Sequence, residues 1–118
     1  MRPLPLKVAK EELNMLQITK IHDRKDKFAA ILSNTDMMTG QPVHLLIDEQ
    51  QVEEFVLYKV GYGCIQDVLL HFDPFEREFV KTGYGPHSQE LLFGVTYAPK
   101  EKVFYSQEEL VKSPYYHQ

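Results

Sequence analysis

The sequence predicts a mostly-β domain, a five-stranded barrel with one helix between its third and fourth strands. Three observations carry that expectation. Short apolar or alternating runs recur between clusters of Gly, Pro, Asn and Asp, the pattern of strands and their turns. One stretch departs from it: Val52, Phe55, Val56 and Val60 fall at i, i+3, i+4 and i+8, a helical face. The length, 118 residues, suits one core and leaves no room for two.

Residues 1–12 read as an arm, because Pro3 and Pro5 block regular structure. The domain proper is expected over 13–112, with a tail at 113–118. Leu13 to Ile21 is the first strand, and a phase slip at Lys20–Ile21 suggests a bulge. The polar stretch 22–27 is a hairpin loop leading to a second strand, Phe28 to Ser33. Turn residues fill 34–42, and Val43 to Ile47 forms the third strand. The helix follows and stops at Gly61-Tyr62-Gly63. Cys64 to Phe72 reads as a strand, with Val68, Leu70 and Phe72 on one face. Asp73-Pro74 turns the chain, and Phe75 to Val80 returns it. Residues 81–88 form a glycine-rich loop, Leu91 to Ala98 a strand, and Val103 to Tyr105 a short one. Ser106 and Glu109 have capping-box spacing, so a helix through Lys112 is expected before Pro114.

Composition narrows the function classes. A net charge of −4 argues against a protein that coats duplex DNA by charge. Basic residues nevertheless gather locally, with Lys20, Arg24, Lys25 and Lys27 inside eight positions. One cysteine, Cys64, excludes an internal disulfide and suits a reducing compartment. No apolar run has the roughly 20 residues that span a membrane, and the N-terminus lacks a signal-peptide core. A cytoplasmic protein without membrane contact is expected.

Catalytic and metal signals are weak. The five histidines lack the i, i+4 pairing of a helical metal site, and His71 with Asp73 is a pair that chance supplies. Cys64 opens an apolar run and reads as a core thiol. Asp67, Glu76, Glu78 and Lys81 match no nuclease spacing. The expectation is a non-enzyme with no cofactor and no metal. Binding signals are stronger. Tyr62 and Tyr84 sit in glycine-flanked turns, while Tyr97 and Tyr105 lie on late strands near lysines. Rings so placed can stack on unpaired bases, at about 1–3 kcal/mol each, with lysines holding phosphates.

Strands with one helix after the third is the element order of an OB fold. With that order, and with Gly61-Tyr62-Gly63-Cys64-Ile65-Gln66-Asp67-Val68 entering the fourth strand, the chain resembles the OB-fold single-stranded DNA-binding proteins of phages of lactic-acid bacteria. The resemblance spans roughly Leu13 to Leu110. It implies non-specific single-strand binding in DNA replication and recombination within the host cytoplasm, homo-oligomerisation, and contacts with replication or recombination proteins. The end of the chain departs from the bacterial members, since residues 113–118 contain no acid. On the OB plan, single-stranded DNA would meet Lys20, Arg24, Lys25, Lys27, Tyr62, Lys81, Tyr84, Tyr97 and Tyr105, crossing between the loops at 23–27 and 81–88. The alternative reading is a small structural or adaptor protein of a phage particle.

Overall fold

The computed structural model describes residues 16–21, 28–94 and 101–113. Four strands form one antiparallel sheet: β1 (Gln17–Lys20), β2 (Phe28–Thr35), β3 (Pro42–Asp48) and β4 (Val103–Phe104). They lie in the order β1-β2-β3-β4. Four helices intervene between β3 and β4: α1 (Glu49–Lys59), α2 (Ile65–Val68), α3 (Pro74–Thr82) and α4 (Pro86–Phe93). A fifth, α5 (Gln107–Lys112), follows β4. No helix among the described residues is long and apolar enough to cross a membrane.

The expected five-stranded barrel is therefore wrong. The sheet is open, with β1 and β4 at opposite edges and unpaired to one another among the described residues. The error lies in the stretch after α1. Val68, Leu70 and Phe72 alternate, yet Ile65, Val68, Leu69 and Phe72 also fit helical spacing, and Ile65, Leu69 and Phe72 are the residues that meet the core. Leu69 and Phe72 are buried while Leu70 is exposed. Phe75 to Val80 is helical for the same reason: Phe75, Phe79 and Val80 are buried at i, i+4 and i+5. The strand expected at Leu91–Ala98 is the end of α4 as far as Phe93, and residues 95–100 lie outside the described set. Correctly anticipated were β2, β3, β4, the helix over Val52–Val60 and the terminal helix. The bulge sits in β2, between Phe28 and Ala30 against β3, and not at Lys20–Ile21.

Each face of the sheet buries its own cluster. Ala30, Leu32, Val43, Leu45, Ile47 and Val103 pack against Phe55 of α1, Leu69 and Phe72, and Phe75, Phe79 and Val80 of α3. On the other face Ile31 and Leu46 meet Ile21, Phe28 and Leu110 of α5. At roughly 1.5–3 kcal/mol per buried large side chain, the helical face carries most of the stabilising burial.

Two capping boxes lie side by side at the start of that helical layer. Asp48 Oδ1 accepts from the Gln51 N–H at 2.8 Å, and Asp48 N–H donates to Gln51 Oε1 at 3.0 Å. Asp73 and Glu76 repeat the arrangement at 2.7 and 3.0 Å. Lys102, just before β4, joins them. Its Nζ donates to Glu76 Oε2 at 2.6 Å and to Gln51 Oε1 at 3.2 Å. Burial pushes the Asp73 carboxyl above its ordinary value, a rise that Lys102 opposes.

Candidate functional site

The described flanks of the 22–27 stretch and the 83–85 segment lie at opposite ends of β2. Ile21 and Phe28, the flanks of the 22–27 stretch, lie at one end, where the Ile21 N–H donates to the Ala29 carbonyl at 3.0 Å. Residues 83–85 pack at the other, against Asn34, Thr35, Asp36 and Val43. Phe28 and Thr35 are seven residues apart along β2, so about 23 Å separates these ends at 3.3 Å per residue. Lys20 is exposed at the end of β1. Lys81 is exposed in the last turn of α3 and Tyr62 beyond α1. Tyr84 is half-buried, and its carbonyl accepts from Gln89 Nε2 at 3.0 Å. Tyr105 is half-buried against the core, and burial, then Glu109 and Asp36, hold its hydroxyl above the usual range. Arg24, Lys25, Lys27 and Tyr97 lie outside the described residues. Lys81 and Tyr84 are thus near one another, whereas Lys20 sits at the far end and Tyr62 beyond α1.

The polar clusters are structural in form. His71 is tied to Glu54 through both its backbone N–H, at 2.8 Å, and its ring Nδ1. Glu76 is buried on Lys102, away from Asp67, which is exposed. Among the described residues no three His, Cys, Asp or Glu side chains are grouped as metal ligands. Cys64 is exposed, not a core thiol, because the segment it opens is helical and not a strand.

A shallow pocket of about 240 Å³ opens on the sheet, lined by Gln17, Ser33, Asn34, Thr35, Pro42 and His44. Ser33 Oγ and His44 Nδ1 are 2.7 Å apart across β2 and β3. Burial lowers the His44 pKa, so the ring is neutral near pH 7. A nucleophilic serine needs its base oriented by a third group. Among the described residues no carboxylate bonds to this ring. The pair is a cross-strand hydrogen bond.

The unusual feature is α4. Gly85-Pro86 starts it, with Pro at a first-turn position that needs no N–H, and Gly94 ends it at φ +91°. A surface helix ordinarily turns apolar residues inward and polar ones outward. In α4 the buried residues are Ser88 and Gln89, while Leu91, Leu92 and Phe93 are 65%, 48% and 61% exposed. The inner side is held by polar contacts. Asp36, between β2 and β3, is 2% exposed and its Oδ2 accepts from the Gly85 N–H at 2.8 Å and from Ser88 Oγ at 2.6 Å. Its Oδ1 accepts from the Met38 N–H at 2.9 Å. Burial raises the Asp36 pKa, but these hydrogen bonds outweigh it and the net shift is downward. At the end of α1, Val56, Val60 and Tyr62 are likewise exposed.

Sequence reasoning missed α4 and this outward-facing apolar end. The available signal was Gly85-Pro86 followed eight residues later by Leu92-Phe93-Gly94, a helix start and stop. Compared with known proteins, the chain matches no family model, no curated protein and no solved structure.

Proposed function

We propose that the chain is a non-catalytic interaction module that associates through the apolar end of α4, in the first place with further copies of itself. The inversion of α4 supports this reading. Three consecutive large apolar side chains on one helix end differ from the single exposed apolar residues that any surface carries. At 65%, 48% and 61% exposure, completing the burial of these three is worth roughly 3–5 kcal/mol per copy. Association costs an estimated 4–15 kcal/mol, so one copy of this end does not meet that cost alone; burial on both partners and the exposed residues after α1 are candidates for the remainder. A symmetric pair would place the same surface on both sides of a twofold axis.

Single-strand binding is the second reading. One observation favours it: Lys20 is exposed on β1 immediately before the basic stretch that holds Arg24, Lys25 and Lys27. Its scaffold argument is gone with the barrel, and charge remains.

Native mass spectrometry at micromolar concentration and anisotropy with fluorescent oligo-dT separate the two. The interaction reading expects dimers or larger species in the first, and no saturable binding at physiological salt in the second. A purely monomeric protein that binds oligo-dT, with a salt dependence that Arg24→Glu and Lys25→Glu flatten, would replace it with the nucleic-acid reading.

A further inference from the structure

We infer that α4 is a latched arm: the Asp36 carboxylate pins its first turn to the β2–β3 hairpin, and the helix undocks as a unit about residues 83–85 while the sheet stays folded. The inference concerns the fold and holds whether or not the end of α4 is an interface.

Three features support it. First, the attachment is polar. The residues α4 buries are Ser88 and Gln89, so the helix brings no fully buried apolar side chain to the body. The hydrogen bonds that reach the body are those of Gly85 N–H and Ser88 Oγ to Asp36, and of Gln89 Nε2 to the Phe75 carbonyl at 3.2 Å. Second, the first turn is tied by a distant residue. Its N-cap, Gly85, has no side chain to offer, and both the Gly85 N–H and the Ser88 hydroxyl are held by Asp36, 49 and 52 residues earlier. That acceptor is fixed to the body: the Asp36 N–H donates to the Gln41 carbonyl at 2.8 Å, and the Gly40 N–H donates to the Asp36 carbonyl at 2.7 Å. Third, the joint is glycine-dependent. Gly83 has φ +82°, and a Cβ at Gly85 would come within 2.9 Å of Val43 Cγ2. The helix rests flush on the hairpin only because neither position carries a side chain. An eight-residue helix is not stable alone in water, so an undocked α4 also loses its helical hydrogen bonds.

Hydrogen exchange measured by mass spectrometry on the full-length protein tests this with three variants. Asp36→Asn weakens the latch, Ser88→Ala removes one donor and leaves the 36–41 loop intact, and Gly85→Ala lifts the joint from Val43. In wild type, peptides covering 86–93 should exchange faster than those covering 43–47. Exchange in 86–93 should hardly respond to low urea, while exchange in 43–47 should rise with it; each variant should accelerate 86–93 at least tenfold and leave its weak urea dependence in place. Should Asp36→Asn fail to fold, Ser88→Ala and Gly85→Ala decide the matter. The inference is overturned if folded variants exchange at the wild-type rate in 86–93. It is equally overturned if 86–93 shares the rate and the urea dependence of 43–47, because α4 would then open only with the sheet.

Discussion

Asp36 shows how a buried carboxylate can remain an anion. Desolvation disfavours its charge, and donors from Ser88, Gly85, Met38 and Thr39 restore more than burial removes. Hydrogen bonds to a charged group contribute about 1.5–3 kcal/mol each, so the balance is plausible on magnitude as well as direction. The folded pKa lies below 3.8, so the stability Asp36 contributes is complete well above that value. It drains as pH falls through 3.8 and then through the folded pKa. Asp73 acts with the opposite sign, because its pKa is raised and its ionised form costs stability. Comparing wild type with Asp36→Asn isolates the first effect. Urea midpoints of the two should differ by a constant amount above about pH 5 and converge below pH 4. Persistence of the gap into strong acid would remove Asp36 from this role. Glycines allow a second comparison. Gly40 and Gly83 both have positive φ, at 75° and 82°, but only at Gly83 would a Cβ meet a neighbour, Asn34 Nδ2 at 2.6 Å. Gly40→Ala should cost about 1–2 kcal/mol for the backbone alone. Gly83→Ala should cost more, with urea denaturation as the measure, and equal costs would show that the contact relaxes freely.

At the scale of elements, helix starts decide the fold. Asp48-x-x-Gln51 and Asp73-Pro74-Phe75-Glu76 are both capping boxes, and the second was legible: Asp at N-cap, Pro at N1, Glu at N3. Asp73-Pro74 also reads as a turn between strands, and the alternation before it made that reading attractive. Period alone could not separate strand from helix over Cys64–Phe72, because burial of Leu69 and exposure of Leu70 are set by packing. The strands β2 and β3 were legible because both faces are covered and their apolar runs are continuous. Less legible was the pairing of the two capping boxes through Lys102, a contact between residues 26 and 51 apart. Glu76 and Lys102 are largely buried, so removing one partner leaves an uncompensated charge. Lys102→Ala should destabilise the fold by about 3–5 kcal/mol. Combining Lys102→Met with Glu76→Leu should cost less than the sum of the separate changes. Additive costs in a double-mutant cycle would mean the two side chains do not depend on one another.

Among the described residues the molecule is an open meander with four of its five helices between β3 and β4 in sequence. That topology separates Lys20 from Lys81 and Tyr84. Lys20, Ile21 and Phe28 lie at one end of the sheet, and Lys81 and Tyr84 lie toward the other. What it leaves outward is an apolar helix end, held out by polar contacts beneath it. Candidate residues for binding were legible in sequence as types, lysines and tyrosines beside turns. Their arrangement was not, because it was argued from a barrel that the chain does not form. The central claim is that Leu91, Leu92 and Phe93 form an association surface. Sedimentation velocity of wild type and of the Leu91→Lys/Phe93→Lys variant over a micromolar concentration series tests it most directly. Wild type should sediment as a reversible dimer or larger species, and the variant, at unchanged thermal stability, as a 13.8 kDa monomer. A wild type that stays monomeric throughout, or a variant that associates as wild type does, would contradict it.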